Sequence, residues 1–136
     1  MNARAVRKAL GTDHLSQFIL PWTQVSMFII GAVFWAMATT QDAPFDAKTF
    51  GEFALQYPAE AWAMAMMGPA AMVWVGLRNP VKHWMVAIGA GLQFLNFCAL
   101  GYSFLWTGGQ PVMGLFAIIF FAPLHAYIFG AAVNDT

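Results

Sequence analysis

The side chains best able to do chemistry in this 136-residue chain are a few polar residues inside long apolar runs. They are Gln24, Gln93, Asn96 and His125. Polar residues within membrane-spanning segments usually face the interior of a helix bundle, where they line a site or join helices by hydrogen bonds. Gln93 and Asn96 are spaced i, i+3 and therefore share one helix face. We expect a polar interior, either a small-molecule site or polar track or, as we favour, hydrogen bonds between helices.

The histidines suggest a second kind of chemistry. His83 and His125 fall near the same side of the membrane in the spans predicted below, so they could meet as axial ligands of a haem or as ligands of a metal ion. The alternative needs no cofactor. In it, His83 is an interfacial residue beside Lys82, and His125 donates a hydrogen bond to a neighbouring helix or to a carbonyl freed by Pro123.

The sequence holds none of the common catalytic signatures. We find no glycine-rich phosphate loop, no paired metal-ligand motif and no nucleophile elbow, so we do not expect an enzyme. No Asp, Glu, Lys or Arg lies deep in an apolar run, which argues against an ion-coupled pump. The formal net charge is zero, which gives no basic surface for nucleic acid.

The composition is that of a protein surrounded by lipid. Hydrophobic residues make up 60% of the chain and charged residues 9%, whereas soluble domains average about 25% charged residues. Four apolar segments are long enough to span a bilayer, at 18–38, 61–77, 84–106 and 112–132. We therefore predict an all-α integral membrane bundle of four transmembrane helices, with one transmembrane domain at 18–136 and a basic tail at 1–17.

Two local features modify these predicted spans. Pro69 lies near the middle of the second span, where its missing N–H frees the carbonyl of Ala65 and predicts a kink. The first span could instead be a cleaved signal peptide, since the small residues 36–38 resemble a cleavage site. Its apolar run is longer than the usual core of a signal peptide, so we favour a retained span.

The connection between the first two spans predicts a short amphipathic helix on the membrane surface. Phe50, Phe53, Ala54 and Tyr57 follow the i, i+3, i+4, i+7 pattern of an apolar helix face. Thr49 begins a Thr-Phe-Gly-Glu sequence that fits a capping box at the start of this helix.

The basic residues and the tryptophans predict the topology. The topology determinants are Arg4, Arg7, Lys8, Arg78 and Lys82, which share one side if there are four spans. The positive-inside rule then places both termini in the cytoplasm. Six tryptophans fall near the predicted span ends and are expected to form an interfacial belt: Trp22, Trp35, Trp62, Trp74, Trp84 and Trp106.

These features predict a multi-pass protein of the cell (inner, cytoplasmic) membrane that contacts the lipid bilayer and either a protein partner or further copies of itself. The leading hypothesis is a non-enzymatic accessory or assembly subunit of a larger membrane complex. One alternative is a channel, a small-solute carrier or a holin-like permeabilising oligomer that uses the polar interior. The other is a redox subunit that binds haem.

Overall fold

The computed structural model describes residues 20–39, 45–79, 82 and 84–134. The predicted basic tail, with Arg4, Arg7 and Lys8, lies outside the described residues. So does His83, and with it the predicted pairing of the two histidines.

The described chain is helical throughout its long segments and contains no strand within those ranges, which confirms the all-α prediction. The long helices are α1 (Leu20–Thr39), α3 (Ala59–Arg78), α4 (Trp84–Trp106) and α5, which passes through Pro111–Phe116, Ala117–Phe121 and Ala122–Asn134. A one-turn helix α2 (Ala47–Phe50) and a 3-10 turn (Ala54–Gln56) connect α1 to α3. Each long helix lies within about two residues of a predicted span at either end, because the polar breaks between apolar runs set its limits.

Three of these helices are long and apolar enough to cross a membrane: Pro21–Thr39 in α1, Trp84–Trp106, and Pro111–Val133 in α5. α3 is 20 residues long but is rich in Ala and carries Gly68, Pro69 and two tryptophans, which make it less apolar than the other three. The chain is therefore a small multi-pass membrane protein with three candidate spans.

The long helices pack in chain order. α3 lies between α1 and α4, and α4 packs in turn against α5. The approach of α3 and α4 is close at Gly89, where an added Cβ atom would lie 2.7 Å from the carbonyl oxygen of Pro69. Small residues allow helix backbones to approach in this way, so Gly89 brings the proline-containing part of α3 against α4.

The helix α5 changes its hydrogen-bond pattern at its middle. Its central segment, Ala117–Phe121, is π-helical, and the N–H of Ala122 bonds to the carbonyl of Ala117 five residues earlier. Pro123 follows at once and has no N–H to donate. Such π-helical turns occur often at functional sites, and here the turn ends four residues before the buried His125.

The predicted surface helix between the first two spans does not form as one helix. The side chain of Asp46 accepts a hydrogen bond from the N–H of Thr49 at 2.8 Å, so Asp46 is the N-cap and the predicted capping box at Thr49 is wrong. α2 then ends at Gly51, whose φ of 87° is a conformation that favours glycine. The helical pattern from Phe50 to Tyr57 is thus broken after its first residue.

Residues 45–57, which we call the cap, fold onto the end of the bundle. Ser103 of α4 donates to the carbonyl of Phe50 at 2.6 Å and accepts from the N–H of Ala54 at 2.8 Å. Thr107, one turn further on, accepts from the N–H of Phe53 at 3.1 Å. These side chains pair backbone groups of the cap that would otherwise be buried without partners.

Aromatic packing holds the inner side of the cap. Phe50 is buried, with its ring centroid 4.6 Å from that of Phe45, 5.3 Å from that of Phe34 and 5.8 Å from that of Phe104. The apolar residues that predicted a lipid-facing helix therefore do not all face lipid. Phe50 and Ala54 are buried against the bundle, and Tyr57 is exposed.

Replacing Ser103 by Ala tests the attachment of the cap. The Ser103→Ala variant leaves the Phe50 carbonyl and the Ala54 N–H buried and unpaired, so we expect it to lower the free energy of unfolding by about 1–3 kcal/mol. Ser26→Ala is the matched control, because exposed Ser26 donates to the Trp22 carbonyl of its own helix, and surface changes usually stay within about 0.5 kcal/mol. The free energy of unfolding in detergent and amide hydrogen exchange at Ala54 are measured for both variants. Equal losses of stability in the two variants would contradict this account.

Candidate functional site

The predicted polar residues lie inside the bundle. Gln24 is 1% exposed, and Gln93 and His125 are fully buried, while Asn96 is half-buried. Gln24 belongs to α1, Gln93 and Asn96 to α4, and His125 to α5. The structure places them in two separate sets of hydrogen bonds.

The first set lies at the part of α3 around Pro69. Pro69 has no N–H, so the carbonyl of Ala65 lacks its helical donor. The side-chain amide of Asn96 donates to that carbonyl at 2.5 Å, and the amide of Gln93 donates to the adjacent carbonyl of Met66 at 2.9 Å. The i, i+3 spacing on α4 thus matches two consecutive carbonyls on α3.

The second set includes a hydrogen bond between α1 and α5. His125 Nδ1 lies 2.7 Å from the carbonyl oxygen of Phe121. A carbonyl only accepts, so Nδ1 carries the proton and donates. In the neutral ring Nε2 is then an acceptor, and the side-chain amide nitrogen of Gln24, 3.2 Å away, donates to it.

Aromatic rings fix the orientation of His125. The ring of Phe97 stacks on that of His125, with centroids 5.5 Å apart, and also on that of Phe121 at 5.0 Å. His125 was predicted to donate to a neighbouring helix, but it accepts a hydrogen bond from Gln24 of α1 and donates within its own helix. The carbonyl that accepts from His125 is that of Phe121, four residues earlier, and not the carbonyl freed by Pro123.

The haem hypothesis requires a different arrangement from this one. Both ring nitrogens of His125 are engaged, and coordination through Nε2 would displace Gln24. Within the described ranges, no group of three or more His, Cys, Asp or Glu residues is placed to hold a metal ion. Shared ligation by His83 and His125 remains a prediction, because His83 is outside those ranges.

Two buried oxygen atoms keep unused capacity to accept hydrogen bonds. Gln24 Oε1 and Gln93 Oε1 are both buried and have no hydrogen-bond partner. Each amide therefore works through its nitrogen alone. A buried polar atom without a partner costs about 1–3 kcal/mol, so a hydroxyl or N–H that reached these oxygens would be bound favourably.

The arrangement joins helices to one another. Gln24 links α1 to α5, and Gln93 and Asn96 link α4 to α3. The three contacts are hydrogen bonds between helices, the kind that the favoured sequence interpretation expected, and the role of these residues stays a prediction. Family models, curated proteins and solved structures were compared with the chain, and none of them matches it.

Several functional positions differ from the sequence-based expectation. Ser103 and Thr107 were not predicted, although their i, i+4 spacing near the end of a span was a usable signal for backbone pairing. Trp62 is buried and its Nε1 donates to the Ala54 carbonyl at 2.8 Å, so this predicted belt residue lies inside the bundle. Four of the others are exposed: Trp22, Trp35, Trp84 and Trp106. The belt itself stays a prediction.

The bond between Gln24 and His125 gives a spectroscopic prediction. Imidazole ¹⁵N spectra of the protein in detergent should show the proton of His125 on Nδ1, and Gln24→Leu should leave it there because the Phe121 carbonyl still accepts it. The same variant should lower the free energy of unfolding by about 1–3 kcal/mol, since Nε2 loses its donor. A proton found on Nε2 in the unmodified protein would contradict the assignment.

Proposed function

We propose that α3 is a fourth transmembrane span, so that the bundle has four spans and both ends in the cytoplasm. Glu60 and Arg78 lie in the first and last turns of α3, 18 positions or about 27 Å apart along the helix. This separation approaches the roughly 30 Å thickness of a bilayer core. Arg78 and Lys82 are exposed at one end of the bundle, and the positive-inside rule assigns that end to the cytoplasm.

We further propose that the protein is a non-enzymatic accessory or assembly subunit of a larger membrane complex. The observation that carries this is an apolar cleft of about 470 Å³ between α1 and α5, which we call the seam. Its rims include Val33 and Met37 of α1 and Met113 and Phe116 of α5. The four long helices that the structure describes leave the seam unfilled, and it is a place for a membrane segment of another subunit.

The floor of the seam is the core of the bundle. Phe97, Leu100 and Phe104 of α4 and Met66 of α3 line it, and all four are buried core residues. Association of helices in lipid is driven largely by van der Waals packing. The rim side chains Met113 and Phe116 are half exposed and forgo part of that energy, so a partner that packs into the seam is favoured over loosely ordered lipid.

The polar interior supports this function over permeation. The side chains that would line a polar track are Gln24, Gln93, Asn96 and His125, and each is engaged in a bond between helices or within one. The exposed side chains along the described long helices are largely apolar, and a protein that offers apolar lateral surfaces is suited to binding other membrane segments.

Photo-crosslinking from the seam tests this function. A photoreactive amino acid at Val33, which is 49% exposed on the rim, should form an adduct with one specific membrane protein. The same residue at Ile119 is the control, because Ile119 is 58% exposed on α5 but does not line the seam. Val33→Trp should reduce the partner recovered in mild detergent, measured by mass spectrometry, and Ile119→Trp should not.

The outcomes separate the hypotheses. An adduct with a second copy of the chain would favour the homo-oligomer that the permeation alternative needs. A partner-free monomer with equal, diffuse crosslinking from both positions would end the accessory-subunit proposal.

A further inference from the structure

A second groove lies on the other face of α1, near the basic end of the bundle. It has a volume of about 240 Å³ and runs between α1 and α3. Its walls are mainly apolar, with Val25, Phe28 and Ile29 on one side and Ala71 and Val75 on the other. The buried Gln24 also lines it. Since both helices are proposed spans, the groove faces the acyl chains of the surrounding lipid.

A positive charge stands at one end of this groove. Trp74 lines it, and the guanidinium carbon of Arg78 lies 4.2 Å from the centroid of the Trp74 ring. A guanidinium that stacks by its face on an aromatic ring keeps the N–H groups at its edge free for hydrogen bonding. Those edge donors match the oxygens of a phosphate group.

The charge of Arg78 is not shared with a carboxylate of the described chain. The acidic residues described there are Asp46, Glu52 and Glu60, and all three lie in the cap or in the first turn of α3. Glu60 and Arg78 stand at opposite ends of α3, about 27 Å apart. Lys82, exposed in the following turn, adds a second positive charge at the same end.

We infer that this groove is a binding site for an anionic phospholipid such as phosphatidylglycerol. One acyl chain lies between α1 and α3, and the phosphate bonds to the edge of the Arg78 guanidinium. We assign an anionic lipid because Arg78 and Lys82 put two positive charges at this end of the described chain, and basic pockets between spans are known to select such head groups. A soluble anion could use the charge but not the apolar walls.

The test compares lipids retained by the purified protein. The protein is taken from bilayer discs of mixed phosphatidylcholine and phosphatidylglycerol, and native mass spectrometry counts the lipids bound. Arg78→Gln should lower the preference for phosphatidylglycerol about five-fold, since one Arg near a membrane surface contributes about 1 kcal/mol and 1.4 kcal/mol is a factor of ten. Lys48→Gln, the same charge change at the exposed cap, should leave the preference unchanged.

A second pair of variants tests whether the acyl chain lies in the groove. Ala71 lines the groove and Ala61 does not, and both are exposed on α3. Ala71→Trp should fill the groove and reduce the retained lipid while Arg78 is intact, and Ala61→Trp should not.

Three results would overturn the inference. Equal losses in Arg78→Gln and Lys48→Gln would mean general attraction to surface charge. Full retention by Ala71→Trp would mean that no chain sits in the groove. Competition by inorganic phosphate would mean a site for a free anion.

Discussion

The structure depends on one constraint, which is that a backbone carbonyl or N–H in hydrocarbon must find its partner inside the protein. Pro69 violates the regular pattern by leaving the Ala65 carbonyl without a donor. Asn96 of α4 supplies that donor, so the irregularity in one helix becomes a bond to the next. Gly89, seven residues before Asn96 on α4, lets the two backbones approach at the carbonyl of Pro69.

The same constraint accounts for the other polar contacts. The cap brings irregular backbone to the end of the bundle, where Ser103 and Thr107 pair its N–H and carbonyl groups. The π-helical turn of α5 ends at Phe121, whose carbonyl accepts from His125. Polar side chains are thus placed where the backbone departs from a regular helix. The outward surfaces are left apolar, which is why the proposed functions lie in the grooves along the helices.

The sequence predicted the features that depend on local pattern. Run length and polar breaks located the long helices, and Pro69 identified the freed carbonyl of Ala65. The hydrogen-bond partner of that carbonyl could not be predicted from the sequence, because it depends on the rotation of α4 about its axis. The hydrogen bond between Gln24 and His125 could not be predicted either, because the two residues are 101 positions apart and the bond depends on how α1 and α5 are rotated. The cap was misread because its apolar spacing is the same whether a helix faces lipid or the bundle.

The coupling between Pro69 and Asn96 tests the central claim most directly. Asn96→Leu should lower the free energy of unfolding in detergent by about 1–2 kcal/mol in the unmodified protein. In the Pro69→Ala background the N–H of residue 69 can bond to the Ala65 carbonyl, so the same change should cost much less, with an interaction energy of about 1 kcal/mol. Costs that add to within about 0.3–0.5 kcal/mol would show that Asn96 does not serve the carbonyl freed by Pro69 and would contradict the account.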